Sequence, residues 1–219
     1  MRTKTLLLTA AVSAAGVASS MAQANVFSVN AVGYVNTTLT PKFNLIANPL
    51  NAADNSINAL FKNGVNGTIP NGLQVYKFNG TSFTTLTYDD LDGSFGTAGA
   101  ATLVPGEGAF VRVPGTANVT ITFVGEVMQG DLKNAYPKGL SIRSSQVPQE
   151  GIITDLGFKG KNGDQIFMYD TAGQKYVTST FDDLDGALAP KPRALKVGES
   201  LFLKATVAGS WDRTFSVNN

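Results

Sequence analysis

Two aspartate-rich blocks are the sharpest chemical feature of the sequence. Each reads Asp-Asp-Leu-Asp-Gly, and the aspartates are Asp89, Asp90, Asp92, Asp182, Asp183 and Asp185. Closely spaced carboxylates supply hard oxygen ligands to calcium. A twelve-residue calcium loop beginning at Asp90 needs a bidentate glutamate at its last position, but that residue is Ala101, and Ala194 stands at the matching place in the second block. The blocks therefore predict turns closed by glycine, with calcium binding as the alternative.

Two glutamates also occupy matching positions. Glu107 follows Gly106, and Glu199 follows Gly198. Glycoside hydrolysis needs two carboxyl groups that flank one bond. Nothing in the sequence brings these glutamates together, and their matching context is typical of a turn that occurs twice. We therefore predict no catalytic residue.

The composition excludes several classes of site. The chain of 219 residues has no cysteine and no histidine. Thiol nucleophiles, Ser-His-Asp triads and disulfides are thereby excluded, and zinc, haem and iron–sulfur clusters lose their usual ligands. With 17 basic and 16 acidic residues, the net charge of +1 offers no basic field for nucleic acid. These counts favour a non-enzymatic protein without a cofactor, calcium being the alternative that the aspartates leave open.

Aromatic side chains are the remaining candidates for binding, because they can form a platform for sugars. Four aromatic positions recur later in the chain with the hydroxyl gained or lost: Tyr76 and Phe167, Phe78 and Tyr169, Phe83 and Tyr176, and Tyr88 and Phe181. Since the ring is kept and the hydroxyl is not, these residues are predicted to lie in the core. Tyr34, Tyr136 and Trp211 have no aromatic counterpart. Tyr34 and Trp211 are therefore the candidate ligand contacts, although the alternating strand that begins at Trp211 favours the core for that residue.

The elements that must position these residues occur twice. Five ordered blocks match at offsets of 91 to 97 positions: 43–45 with 140–142, 74–78 with 165–169, 85–93 with 178–186, 106–111 with 198–203, and 122–123 with 214–215. Small drifts in the offset are typical of loop insertions and deletions. The sequence therefore indicates an internal duplication.

Both copies are rich in β-forming residues and turn signals. Residues 73–78 and 83–88 flank Asn79-Gly80, a dipeptide that favours a type I′ hairpin. Only the segment from Ser56 to Lys62, after Asp54, is typical of a helix. We predict an all-β fold of two similar β-sandwich-like lobes.

The first 24 residues have the pattern of a secretory signal peptide. Arg2 and Lys4 precede an apolar stretch at 6–17, and Ala22-Gln23-Ala24 resembles a cleavage site. The alternative, a membrane anchor, is disfavoured because the apolar stretch is too short for ~30 Å of hydrocarbon. The predicted organisation is a signal peptide at 1–24, one β repeat at 25–122 and a second at 123–219, in a secreted or cell-surface protein without a membrane span.

Three segments also carry a resemblance to a known group. Phe27-Ser28-Val29-Asn30-Ala31-Val32-Gly33-Tyr34-Val35-Asn36, Asn44-Leu45-Ile46-Ala47-Asn48-Pro49-Leu50 and Gly106-Glu107-Gly108-Ala109-Phe110-Val111 follow one another in this order. The series resembles uncharacterised secreted, β-rich duplicated proteins of verrucomicrobial bacteria. The resemblance implies export and β-structure over essentially the whole mature chain, and it carries no catalytic residue.

The ends of the mature chain repeat one another. Phe27-Ser28-Val29-Asn30 recurs as Phe215-Ser216-Val217-Asn218. Such strands can pair within one molecule or add to the sheet edge of the next, although a remnant of duplication would give the same repeat. The candidate self-association residues are Phe27, Val29, Phe215 and Val217.

Two functions from different classes follow from these patterns. Export, duplication and low charge favour a structural or adhesive protein of the cell surface or extracellular matrix that assembles with itself. The alternative is a carbohydrate-binding module, calcium-assisted, whose partner is a surface polysaccharide. A hydrolase using Glu or Asp fits least well.

Overall fold

The computed structural model describes residues 31–64 and 69–218. Its regular structure is dominated by antiparallel strands, which confirms the predicted all-β class. The predicted signal peptide at 1–24, and Phe27 and Val29, lie outside the described residues.

Six strands form two sheets in the first half of the chain. Their bounds are β1 Val32–Leu39, β2 Lys42–Ala47, β3 Gln74–Phe78, β4 Phe83–Thr87, β5 Gly108–Val113 and β6 Val119–Glu126. The first and last strands, β1 and β6, form a two-stranded ribbon. The other four form a sheet with the order β2-β5-β3-β4.

The second half repeats this pairing order and adds one short strand. Its strands are β7 Gly130–Tyr136, β8 Gly139–Arg143, β9 Gln165–Asp170, β10 Lys175–Asp182, β11 Ala187–Ala189, β12 Leu201–Ala205 and β13 Gly209–Phe215. The first and last strands again form a ribbon, β7 with β13, and the remaining sheet has the order β8-β12-β9-β10-β11. Strands at the same place in the two pairing orders are called equivalent below.

The predicted division at 122/123 falls inside a strand. β6 pairs with β1 from Val119 to Glu126, so the first half ends after Glu126. Residues Ala31–Asn219 make up one compact unit. Each half has its own cluster of buried apolar residues, and a third cluster takes members from both halves.

The one α-helix among the described residues, α1 Ile57–Gly64, covers the core of the first half. Its start differs slightly from the expectation. Ser56 is the capping residue, because its Oγ accepts the Ala59 N–H at 3.2 Å, while Asp54 Oδ1 accepts the Ser56 N–H at 2.8 Å. The buried face presents Ile57, Leu60 and Phe61 to the sheet.

The hairpin predicted at Asn79-Gly80 connects β3 and β4 through four residues instead of two. Asn79 Oδ1 accepts the N–H groups of Thr81 and Ser82 at 3.0 and 2.8 Å. Gly80 has φ +106°, which a side chain would disfavour. The asparagine therefore organises the turn through its side chain.

Backbone hydrogen bonds with the second half close the inner edge of the first sheet, on the side of β2 that faces away from β5. Ile46 forms an antiparallel bridge with Glu199, and the Ala47 N–H donates to Gly198 O at 2.9 Å. The Ser200 hydroxyl donates to Ile46 O at 2.8 Å in a buried position.

The equivalent bonds close the edge of β8 with the first half. Arg143 forms a bridge with Glu107, and the Ser144 N–H donates to Gly106 O at 2.9 Å. These two contacts, at β2 and at β8, are called the joints between the halves. Gly108 occupies the position in the β8 joint that Ser200 occupies in the β2 joint. The two halves are thus joined by two contacts at matching places in the two pairing orders.

Candidate functional site

The aspartate blocks form two equivalent turns. Asp89 Oδ1 accepts the Leu91 N–H at 2.9 Å, and Asp182 Oδ1 accepts the Leu184 N–H at 2.9 Å. The glycine that closes each turn has φ +61°. The other four aspartates, Asp90, Asp92, Asp183 and Asp185, are exposed. Within residues 31–64 and 69–218, no group of three or more acidic side chains is arranged to hold a metal ion.

These turns hold two leucines in solvent. Leu91 is 93% exposed and Leu184 is 91% exposed. Because the preceding aspartate fixes the backbone of each turn, the leucine is presented on an ordered tip.

The two matching glutamates belong to separate ion pairs. Glu107 Oε2 lies 2.8 Å from Lys77 Nζ, and Glu199 Oε2 lies 2.6 Å from Arg193 Nη1. Each carboxylate also accepts the backbone N–H three residues earlier, from Val104 at 3.4 Å or Lys196 at 3.1 Å. The structure therefore assigns the two glutamates to equivalent turns and does not join them into one site.

A half-buried arginine, Arg143, lies beside the first of these turns. Burial lowers the pKa of Arg143, and the nearby charge of Glu107 acts in the opposite direction. The Arg143 Nη1 group donates to Ile142 O at 3.0 Å.

The ligand candidates Trp211 and Tyr34 lie in opposite environments. Trp211 is 3% exposed, its indole N–H donates to Leu156 O at 2.9 Å, and its ring packs on Phe158. A buried indole with a satisfied N–H is a core residue, and it offers no surface to a ligand. Tyr34 is 72% exposed on β1, opposite Val124 of β6. Tyr136 is buried, which raises its pKa, and Asp164 and Asp212 raise it further.

The self-association candidates at the C-terminus lie at the end of β13. Phe215 pairs with Gly130, and the Arg213 guanidinium lies 5.7 Å from the Phe215 ring centroid. Val217 is partly exposed, and its N–H donates to Gln129 Oε1 at 3.0 Å. These contacts tie the C-terminal block to the β7–β13 ribbon.

An aromatic face spans both halves and was not predicted as a surface. Its rings are Phe43, Tyr76, Phe78, Phe83, Phe110, Phe167, Tyr169, Tyr176 and Phe202. The Phe110 and Phe202 ring centroids lie 6.1 Å apart. Phe83 is 43% exposed and Tyr176 is 45% exposed, so these two rings are only partly covered. The aromatic positions at which Tyr and Phe exchange between the halves therefore include half-buried residues of this face as well as residues of the core.

Two pockets open on this face. The larger, called the first pocket, has a volume of about 470 Å³ and is lined by Phe43, Tyr76, Phe83, Phe110, Tyr169, Gln174, Tyr176 and Phe202. The second pocket, of about 270 Å³, is lined by Leu140, Phe167, Tyr176 and Phe202. Those four residues are the equivalents of Phe43, Tyr76, Phe83 and Phe110. The two pockets adjoin one another, because Tyr176 and Phe202 line both of them.

A cation borders each pocket. Arg112 stands directly opposite Phe43 in the β2–β5 pair, and Lys204 stands directly opposite Leu140 in the β8–β12 pair. Residues directly opposite in antiparallel strands project to the same face. Both cations are exposed, and neither has a carboxylate partner within the part of the chain that the structure describes.

A glutamine lines the first pocket and not the second. Gln174, at the tip of the β9–β10 hairpin, donates from Nε2 to Phe43 O at 2.9 Å and accepts the Phe43 N–H at 3.1 Å. The tip of the β9–β10 hairpin therefore forms part of the wall of the first pocket. The β3–β4 turn makes no such bond to Leu140 among the described residues.

Two tyrosines at the pockets have raised pKa values. Burial raises the pKa of Tyr169, with a smaller contribution from Asp170. Burial also raises the pKa of Tyr176, and Tyr169 adds to the shift. These two phenols therefore add no charge to the pockets at neutral pH.

No helix within the described residues is long and apolar enough to cross a membrane. Comparisons of the chain with models of protein families, with curated proteins and with solved structures give no match.

Proposed function

We propose that this chain is a secreted, non-enzymatic structural or adhesive protein of the cell surface or extracellular matrix that assembles with copies of itself. The observation that carries the proposal is the open outer edge of each large sheet. Export rests on the signal-peptide pattern of residues 1–24. A non-enzymatic role is supported by the structural ion pairs that occupy Glu107 and Glu199.

The outer edge of β4 has free hydrogen-bonding groups. Tyr88 N–H donates to Leu73 O at 2.8 Å and Asn79 N–H donates to Ser82 O at 3.0 Å, at the two ends of the β3–β4 pair. Antiparallel bonding alternates along a strand. The groups that face away from β3 therefore belong to alternate residues of β4, namely Phe83, Thr85 and Thr87.

The outer edge of β10 is open over its first part. β11 pairs only with Thr180, Phe181 and Asp182, which leaves the edge from Tyr176 to Ser179 without a strand among the described residues. By the same alternation, Tyr176 and Thr178 are the outward-facing residues.

Neither open edge carries the features that protect monomeric proteins. Between Phe83 and Thr87, and between Tyr176 and Ser179, the sequence has no charged residue and no proline. Soluble proteins usually blunt such edges with lysine, proline, bulges or a covering segment. The inner edges at β2 and β8 are closed by backbone bonds between the halves, so the contrast favours association through the outer edges.

The test removes the outward N–H groups without removing bonds inside the sheet. The mature chain carrying Thr85→Pro and Thr178→Pro is compared with wild type by light scattering and negative-stain microscopy over a concentration series. We expect wild-type particles to grow with concentration and the proline variant to stay monomeric, since proline is tolerated at an edge but cannot donate. The matched control, Thr85→Val with Thr178→Val, keeps both N–H groups and should assemble like wild type. Wild-type protein that is monomeric at every concentration contradicts the proposal.

Carbohydrate binding is the second candidate function, and the two aromatic pockets favour it. Exposed rings can stack on the apolar faces of sugars while polar groups fix orientation. Affinity electrophoresis through gels containing polysaccharides tests this function. Retardation of wild type that is lost in Phe83→Ala supports it, whereas equal mobility in all gels contradicts it.

A further inference from the structure

The two exposed leucines and the two aromatic pockets match in number. Leu91 and Leu184 occupy equivalent turns. The second pocket is formed by the equivalents of four residues of the first, and Tyr176 and Phe202 line both pockets. One molecule therefore carries two protruding apolar side chains and two apolar recesses.

The charges around these features are complementary. Asp90 and Asp92 flank Leu91, and Asp183 and Asp185 flank Leu184; all four are exposed. The strand residues that face the pockets include no aspartate or glutamate, while Arg112 and Lys204 border them. The acidic turn with a leucine at its tip is therefore complementary in charge to an apolar pocket bordered by a cation.

A leucine side chain is small enough for either pocket. The volumes of about 470 and 270 Å³ exceed that of a leucine side chain, and the aromatic walls offer it dispersion contacts. A fixed backbone in the turn reduces the conformational entropy that is lost on docking.

We propose that the Leu91 and Leu184 turns of one molecule dock in the aromatic pockets of a neighbouring copy. This docking rests on the proposed self-assembly and names the side chains that carry it. The contact is heterologous, because a turn on one molecule meets a pocket on the next. A heterologous contact that does not close into a ring builds an open chain or layer.

The main experiment separates the two sides of the contact in the full mature chain. The turn variant carries Leu91→Asp and Leu184→Asp, and the pocket variant carries Arg112→Glu and Lys204→Glu. All four side chains are exposed, so both variants should fold, which circular dichroism checks. The control, Thr116→Asp with Val207→Asp, adds two negative charges at other exposed loops.

Sedimentation velocity gives the expected pattern. We expect each variant to lower the association constant at least tenfold, and the control to behave like wild type. A mixture of the turn variant and the pocket variant should form complexes that neither protein forms alone, because the turn variant keeps intact pockets and the pocket variant keeps intact leucine turns. A second mixture, of the turn variant with the control, supplies the reference.

Three outcomes overturn the docking. If wild type assembles and the turn variant assembles equally, the docking is wrong while self-assembly stands. If wild type never assembles, the proposed function itself fails. If an oligosaccharide binds wild type and the turn variant equally, and the pocket variant does not bind it, the pockets serve carbohydrate instead.

Discussion

The two halves of the molecule use one pairing order to bury different polar groups. Asn134 of β7, opposite Trp211, donates from Nδ2 to Gly106 O and Ser144 O, both at 2.9 Å. Its equivalent on β1 is Thr37, opposite Ile121, whose hydroxyl is buried with no hydrogen-bond partner among the described residues. The same place in the fold therefore holds a satisfied network in one half and an unsatisfied hydroxyl in the other.

Both side chains lie against a glycine of the opposite half. A Cβ at Gly106 would lie 2.6 Å from Asn134 Nδ2, and a Cβ at Gly198 would lie 2.5 Å from Thr37 Oγ1. Both glycines also have positive φ. The joint between the halves thus depends on backbone that only glycine permits, and the halves differ in what they place against it.

The largest expected effect comes from making the two joints alike. In Gly108→Ser, the new Cβ would lie 2.3 Å from Ser200 Oγ and 2.4 Å from Ile142 Cγ2. We expect a loss of about 3 kcal/mol in the free energy of unfolding, measured with urea. Adding Ser200→Gly should recover part of that loss, because it removes one of the two clashes. A Gly108→Ser protein as stable as wild type would mean that the joint can open to accept a side chain.

The second prediction compares the two equivalent polar residues. Asn134→Ala leaves two buried carbonyl groups without this donor and should cost about 2 kcal/mol. Thr37→Val removes a hydroxyl that has no partner and should change stability by less than about 0.5 kcal/mol, or increase it. Equal losses of stability in the two variants would contradict the assignment of a satisfied polar group to Asn134 and an unsatisfied one to Thr37.

A third difference between the halves depends on pH. The tyrosines with raised pKa values, Tyr136, Tyr169 and Tyr176, all belong to the second half. Their equivalents in the first half, Leu39, Phe78 and Phe83, do not ionise. Because the folded state holds these phenols protonated, their contribution to stability is complete below pH 10 and is lost as the pH rises through the higher folded pKa values.

The measurement for this prediction is the urea midpoint from pH 7 to 11. Wild type should lose stability above pH 10, and Tyr169→Phe should lose less. A loss that is identical in the two proteins would assign the pH dependence to other groups.

The smallest expected effect concerns the two glutamate turns. Glu107→Gln and Glu199→Gln should each cost less than about 1 kcal/mol, since partly exposed ion pairs contribute little. Glu107→Gln should cost more if burial of the cation decides, because the Lys77 side chain is 21% exposed and the Arg193 side chain is 45% exposed. The reverse order would show that burial of the glutamate decides, because Glu107 is 37% exposed and Glu199 is 28% exposed.

Local features of the fold were predictable from the sequence, because they depend on neighbouring residues. The strands, the Asn79-Gly80 hairpin and the helix near Ser56 all follow from propensity and turn chemistry.

The sequence alignment of the two halves was wrong by two positions near the C-terminal end. The loop between β5 and β6, residues 114–118, is two residues longer than the loop between β12 and β13, residues 206–208. Strand register therefore makes Phe215 the equivalent of Gly125, whereas sequence similarity had aligned Phe215 with Phe123.

The burial of Trp211 agrees with the alternation that favoured the core for this residue. The aromatic face was not predictable in this way, because it depends on which surfaces of the two halves meet. Period-two alternation cannot distinguish a face covered by its own ribbon from one covered by the other half. The common place of Arg112 and Lys204 beside Phe110 and Phe202 was visible in the sequence. Their position beside the pockets could not be predicted without the register of β2 with β5 and of β8 with β12.

The closure of β2 also determines the order in which the chain can fold. Its inner edge is bonded through Ser200, which follows Ile46 by 154 residues, and through Gln174, which follows Phe43 by 131 residues. Contacts this distant in sequence form late, since a long loop must close first. A growing chain therefore exposes an unprotected strand edge until its last strands have been made, and truncation before Gln174 should leave a product prone to aggregation.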